Sequence, residues 1–172
     1  GSGKQIEVIK KLHPDICILL FDIPPQLYVC EQYLSSVFPD DVVSYRDTRM
    51  MDTIPKNRKG KIFIFGNWKF PIIQQVQNYL FWNCASFQEM EPEVVANYMK
   101  YINAQANALY LRLNWDGGKA IALKKGGSGV LKQTKREDYE KGLTNFKLHN
   151  KSPIHLWPMG GGLSHSTFWK RI

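Results

Sequence analysis

The chain has 172 residues, of which 44% are hydrophobic, 13% aromatic and 22% charged, and 23 Lys and Arg against 15 Asp and Glu give a net charge of +8. That length fits one domain of roughly 100–200 residues, which can bury roughly 70% of its unfolded surface without disulfides or metal. The content of aromatic and β-branched residues excludes global disorder, and the longest apolar stretch, Ile16 to Phe21, falls far short of the roughly 18 residues of a spanning helix.

No secretory signal opens the sequence. The basic balance favours anionic partners such as nucleic acid or phosphosugars. The competing reading is that the charge serves solubility, because the lysines are scattered and form no arm. Cys17, Cys30 and Cys84 are odd in number and widely spaced, with no CxxC. Neither a disulfide framework nor a metal site is expected, and the thiols fit a reducing, cytoplasmic compartment.

Helices and strands alternate along the chain. Lys4 to His13 carries Ile6, Val8, Ile9 and Leu12 at helical spacing and stops at Pro14. Ile16 to Ile23 is a solid apolar run, which predicts a strand buried on both faces of a parallel sheet. Gln26 to Phe38 predicts a helix with Leu27, Cys30, Leu34, Val37 and Phe38 on one side, and Val42 to Tyr45 a short extended piece. Lys61 to Phe65 and Tyr79 to Trp82 read as the second and third strands. Pro92 and the acids Glu91 and Glu93 open a helix with Val94, Val95, Tyr98, Met99 and Ile102 as its stripe. Ala108 to Leu113 is the fourth strand, and Asp116-Gly117-Gly118 a turn. Lys119 to Leu148 is polar, basic and Gly-rich, and predicts an excursion with little core. Ile154 to Trp157 and Thr167 to Ile172 are two closing strands, antiparallel because the loop Met159 to Ser166 is short. The expected architecture is therefore one α/β domain over residues 1–172, a mostly parallel sheet flanked by helices with an antiparallel C-terminal strand pair.

Ligands of such sheets bind beyond the carboxyl ends of the strands, so the residues after each strand are the candidates. Asp22 follows the first strand. Its carboxylate can accept two hydrogen bonds from a ribose diol, or cap the next helix. Gly66-Asn67-Trp68 follows the second, where Asn67 can bond an adenine edge and Trp68 stack on it; the alternative is an ordinary turn. Asn83-Cys84-Ala85-Ser86 follows the third and leads to Glu89, which is either a base or a helix-stabilising acid. Gly1-Ser2-Gly3 stands directly before the first helix, where a Gly-x-Gly turn lets backbone amides approach a ligand. Asp22 lies 19 residues after Gly3, close to the roughly 20-residue spacing of dinucleotide folds. Gly-Ser-Gly is equally a cloning remnant.

Together these positions resemble a class I S-adenosylmethionine-dependent methyltransferase, and more narrowly the sugar O-methyltransferase family. Two segments carry the resemblance: Phe21-Asp22-Ile23-Pro24-Pro25 with its helix, and Asn83 to Met90 with the helix Glu93 to Ile102 and the strand Ala108 to Asn114. The resemblance implies a Rossmann-like seven-stranded sheet with S-adenosylmethionine as cofactor. It places cofactor binding on Gly1, Gly3, Asp22, Ile23, Gly66 and Asn67, with Asn83, Cys84 and Ser86 beneath the sulfonium. It implies direct methyl transfer to a hydroxyl of a small-molecule or glycan acceptor, with Glu89, His155 and His165 as candidate bases; a packed histidine and a loop histidine are the alternatives for the last two. The class has a strand ahead of the glycine loop, in mid-sheet. This sequence starts at the loop, so the protein continues upstream, or another segment fills the place, or the chain is not a competent enzyme alone. A methyltransferase-like scaffold without activity is therefore one rival. A nucleic-acid or anionic-polymer module is another, resting on Trp68-Lys69-Phe70 and Trp169-Lys170-Arg171, although no RNA-binding signature is present. Homo-oligomerisation is left open.

Overall fold

The structure, a computed structural model, describes residues 1–113, 117–124, 126–154 and 164–172. The chain divides into two units, Gly1–Gln75 and Val76–Ile172.

In the first unit the elements are α1 (Lys4–Leu12), β1 (Ile18–Asp22), α2 (Pro24–Val37), β2 (Val42–Val43), α3 (Tyr45–Thr48) and β3 (Ile62–Gly66), followed by a 3₁₀ segment over Asn67–Gln75. The sheet runs β1-β3-β2 with both pairings parallel. β3 is central, and all five of its residues are buried. β1 is half-buried at every position, which corrects the expectation of a strand buried on both faces. It stands at the edge of the described three-stranded sheet, paired there with β3. Leu27, Cys30 and Leu34 of α2, spaced at one helical face, pack on Ile62 and Ile64. Burying each such Leu or Ile is worth about 1.5–3 kcal/mol.

α1 corrects the predicted stripe. Val8 and Leu12 are 57% and 70% exposed, whereas Lys10 is 4% exposed. Lys10 forms an ion pair with Asp41 at 3.1 Å and donates to the Pro14 carbonyl. Gly3 and Lys10 are buried and Ile6 and Ile9 half-buried, so the inward face keeps the helical period and is turned away from Val8 and Leu12. Thr48 is fully buried, and its hydroxyl donates to the Ile64 carbonyl, tying α3 to β3.

In the second unit the elements are β4 (Leu80–Cys84), a 3₁₀ turn over Ser86–Glu89, α4 (Pro92–Gln105), β5 (Ala108–Leu113), α5 (Arg136–Gly142), β6 (Phe146–Ile154) and β7 (Ser164–Arg171). The sheet order is β4-β5-β7-β6, with β4 and β5 parallel and the other pairings antiparallel. Pleating sends Phe81, Asn83, Leu109, Leu111 and Thr167 to one face. That face joins Phe87, Tyr139 and the α4 residues Val95, Met99 and Ile102 in the core. Arg171 donates to the Ala106 and Asn103 carbonyls at 2.7 and 2.9 Å, satisfying the last carbonyls of α4.

The segment 119–148 contributes core, against expectation: Val130, Tyr139, Leu143 and Phe146 are buried. Its polar surface disguises a few apolar residues that α5 and the start of β6 turn inward. β6 also begins earlier than predicted, at Phe146, and β7 begins at Ser164. Among the described residues, no helix is long and apolar enough to cross a membrane.

Candidate functional site

The first unit gathers its predicted residues at one place. Asp22 and Gly66 are the last register pair of β1 and β3, so residues 44 positions apart stand side by side at the carboxyl ends of parallel strands. One Asp22 carboxylate oxygen accepts from the Ile23 amide at 2.9 Å, and the other accepts from the Gly1 amino group. Ile23 is the N-cap of α2, with Pro24 in its first turn. Asp22 precedes the N-cap and at this helix entrance bonds only the adjacent Ile23 amide; α2 has no side-chain cap, so Asp22 does not play the helix-cap role weighed for it.

Gly3 is the N-cap of α1 with φ of 87°, a left-handed conformation that favours glycine. A side chain there would meet Leu34 Cγ at 3.0 Å and Cys30 Sγ at 3.1 Å. Gly1 has open space around it. At Gly66 a Cβ would lie 2.4 Å from Trp68 Cζ2, so the indole lies against the glycine. Trp68 is itself half exposed, and Tyr45 of α3 meets it edge-on at 6.0 Å. Asn67 is half-buried beside it.

In the second unit, Asn83 and Cys84 belong to β4 rather than to the turn after it. The turn itself is Ala85, with φ of 68°, whose amide donates to the Arg112 carbonyl at 3.0 Å. Buried Asn83 locks this corner: its Nδ2 donates to Ser86 Oγ at 2.6 Å and its Oδ1 accepts from the Phe87 amide at 3.3 Å. Glu89 is 61% exposed and forms an ion pair with Lys119 at 3.1 Å. His165 is not a loop residue. It lies in β7 with Leu113 and Pro153 as register partners, at the sheet end where β5 finishes. The antiparallel return of β7 carries it there. The second unit therefore brings Asn83, Cys84, Ser86, Glu89 and His165 to the carboxyl end of β4 and β5. His155 lies outside the described residues.

Sequence reasoning missed Lys119, which the Gly-rich segment delivers to Glu89, and Arg112. The signal for Arg112 was present as a lone charge within the apolar run Ala108–Leu113. Among the described residues no group of three or more His, Cys, Asp and Glu side chains is placed to hold a metal.

Burial displaces the acidity of two thiols and two phenols, while the Tyr33 phenol is raised chiefly by its hydrogen bond to Glu7. Burial pushes the Cys30 thiol up to about 11 and the Tyr79 phenol up to about 12, and raises Cys17 and Tyr139. None of these groups is a candidate base.

No family model and no curated protein sequence matches the chain. Solved structures do. The chain is similar to the pyocyanin biosynthetic protein PhzM, with 12% identity and a TM-score of 0.56 over 100% of this chain and 48% of that one. It is similar to an O-methyltransferase family 2 protein from Planctomyces limnophilus solved with apigenin, with 10% identity and a TM-score of 0.56 over 100% and 48%. It is also similar to the S-adenosylmethionine-dependent methyltransferase SibL, with 11% identity and a TM-score of 0.51 over 99% and 48%. The chain spans about half the length of these neighbours. Its fold is the Rossmann-like fold of these methyltransferases.

Proposed function

We propose that the chain is an S-adenosylmethionine-dependent O-methyltransferase domain that transfers a methyl group directly to a sugar hydroxyl. The observation that carries this reading is the register pair Asp22 and Gly66, with Gly1 seated on the carboxylate. The neighbouring folds support a methyltransferase, and one of these neighbours was solved with the small molecule apigenin.

The residues fit the cofactor. Asp22 stands at the carboxyl end of β1, where its carboxylate can accept from a ribose diol. The first-turn amides of α1 follow Gly3, and Trp68 presents an exposed indole for an adenine ring. When bound, the cofactor supplies a methyl group already activated on a sulfonium. The chain must then align the acceptor oxygen at about 3–3.5 Å from that carbon. In this reading Gly1, Gly3, Asp22, Ile23, Gly66 and Asn67 of the first unit bind the cofactor. Glu89 receives the acceptor proton on a carboxylate oxygen once Lys119 releases it. Such a base contributes about 10²–10⁴ in rate. His165 and His155 are the other candidates.

The ion pair of Glu89 with Lys119 favours a second reading, a domain that binds the cofactor without turnover. Titration of S-adenosylhomocysteine by calorimetry tests the proposal. One-site binding that weakens at least tenfold in Asp22→Ala supports it, and no heat at millimolar ligand, or equal affinity in the variant, overturns it. Methyl transfer to a panel of sugars then separates enzyme from scaffold.

A further inference from the structure

One face of the second unit's sheet carries side chains that the helices do not cover. Its register rows run across the strands: Leu80, Ala108 and Lys170; then Trp82, Tyr110 and Phe168; then Cys84, Arg112 and Ser166. In the middle row Trp82 and Tyr110 stack at 4.1 Å, and Trp82 and Leu80 are exposed. The last row stands at the carboxyl end of β4 and β5. There Arg112 is flanked by two small side chains, with Ser152 of β6 continuing the row beyond Ser166. Arg112 Nε is buried and meets no hydrogen-bond partner among the described residues.

A guanidinium nitrogen withdrawn from water without a partner is costly. Its register neighbours, Cys84 and Ser166, are both small. The group that completes such a fork is a planar or tetrahedral oxyanion, which accepts two parallel N–H bonds. A neutral hydroxyl satisfies one donor and leaves the charge uncompensated. The stacked aromatic pair beside Arg112 adds an apolar wall, so the place suits a ring that carries an anionic substituent. The excess of basic residues over the whole chain would assist approach of such a ligand.

We infer that Arg112 is an anion-anchoring residue, and that the acceptor bound by this domain carries a carboxylate or phosphate group. This rests on the methyltransferase reading for the word acceptor, but the anion site stands on its own geometry. The carboxylate and phosphate forms are distinguished by the probes used, sodium glucuronate, inorganic phosphate and neutral glucose.

The full chain is titrated with each probe, following tryptophan fluorescence and backbone amide shifts of β4, β5 and β7. Saturable binding of glucuronate or phosphate, with no response to glucose, is expected. Glucuronate alone identifies a uronate-type acceptor, phosphate alone a phosphorylated one, and binding of both an anion site that takes either oxyanion. Arg112→Met should weaken the anion at least tenfold. Arg112→Lys should recover only part, because it keeps the charge and loses the fork. Ser166→Glu places a carboxylate opposite Arg112 in the register and should abolish anion binding while raising the melting temperature. No anion binding at millimolar concentration, or equal affinity in Arg112→Met and Ser166→Glu, overturns the inference. Should Arg112→Met unfold, Ser166→Glu gives the decision alone. S-adenosylhomocysteine titration of Arg112→Met should match the unsubstituted chain. Anion binding without any S-adenosylhomocysteine binding would remove the methyltransferase reading and leave the anion site.

Discussion

Gly3→Ala separates what the glycine turn does for the fold from what it does for a ligand. Gly3 adopts φ of 87°, and a non-glycine residue in that left-handed region costs about 1–2 kcal/mol. The added methyl would also press on Leu34 Cγ at 3.0 Å and Cys30 Sγ at 3.1 Å. Both neighbours are fully buried, so neither can swing into solvent, and overpacking of this kind costs about 1–3 kcal/mol. Alanine restricts the unfolded chain and returns about 0.4–1 kcal/mol. The net loss is about 1–4.5 kcal/mol, set against the roughly 5–15 kcal/mol that holds a domain. With a urea slope of about 2 kcal/mol/M, the midpoint should fall by about 0.5–2 M. Urea titration, with amide exchange of α1 and α2 to localise the loss, measures it. A midpoint shift below about 0.3 M, on the same slope, would refute the argument. Gly1→Ala is the control: nothing lies within 4 Å of its Cβ position, so its stability should stay within about 0.5 kcal/mol. A fall in S-adenosylhomocysteine affinity in Gly1→Ala therefore reports the ligand, whereas the same fall in Gly3→Ala reports the packing of α1 on α2.

Four further outcomes are expected. Asn83→Ala removes the bonds to Ser86 and the Phe87 amide and should cost about 1–3 kcal/mol because the Phe87 amide is left unsatisfied; denaturant midpoints check it. The phenols of Tyr79 and Tyr139 ionise later in the folded chain than in the unfolded one, so the unfolded chain loses protons first. Stability should be full below about pH 10 and fall between about pH 10 and 12, a slope that flattens in Tyr79→Phe/Tyr139→Phe when melting is followed against pH. Cys30 is fully buried and its thiol is raised to about 11, so iodoacetamide should label Cys17 and Cys84 well before Cys30, by peptide mass mapping. In methyl-transfer assays Glu89→Gln should lower the rate by about 10²–10⁴ and Lys119→Met, which frees Glu89 from its ion pair, should not. Equal loss in both would assign the pair a structural role.

What the sequence makes legible is what local patterns control. The apolar run of β3 and the Leu27, Cys30, Leu34 spacing of α2 lead to the core without ambiguity, because solid runs and single-face spacing each have one economical burial. α1 shows the limit. Its period is visible, but its phase is fixed by Asp41, which pairs with Lys10 from 31 residues away. A lysine counts as outward in any hydropathy pattern until its partner is known. β1 shows another limit. Apolar content does not say whether a strand is central or an edge, and only the pairing of β3 with both β1 and β2 decides it.

The candidate site divides in the same way. Asp22, Gly66 and Asn83 are legible because strand ends followed by small or acidic residues are recognisable along the chain. Lys119 and Arg112 are not, since their meaning depends on what the sheet places beside them. Lys119 comes from a segment that reads as a loop, yet three acids of the turn and helix before β5 meet that segment: Glu89 takes Lys119, Glu91 accepts from the Leu131 amide at 3.2 Å, and Glu93 takes Lys132 at 2.6 Å. Such exposed pairs are worth little singly. Their joint effect is positional, because they fix which lysine sits on Glu89. The charge beside the candidate base is thus set by contacts 30 to 40 residues apart in sequence, and substitutions at Glu91 or Glu93 should alter Glu89 chemistry without touching it.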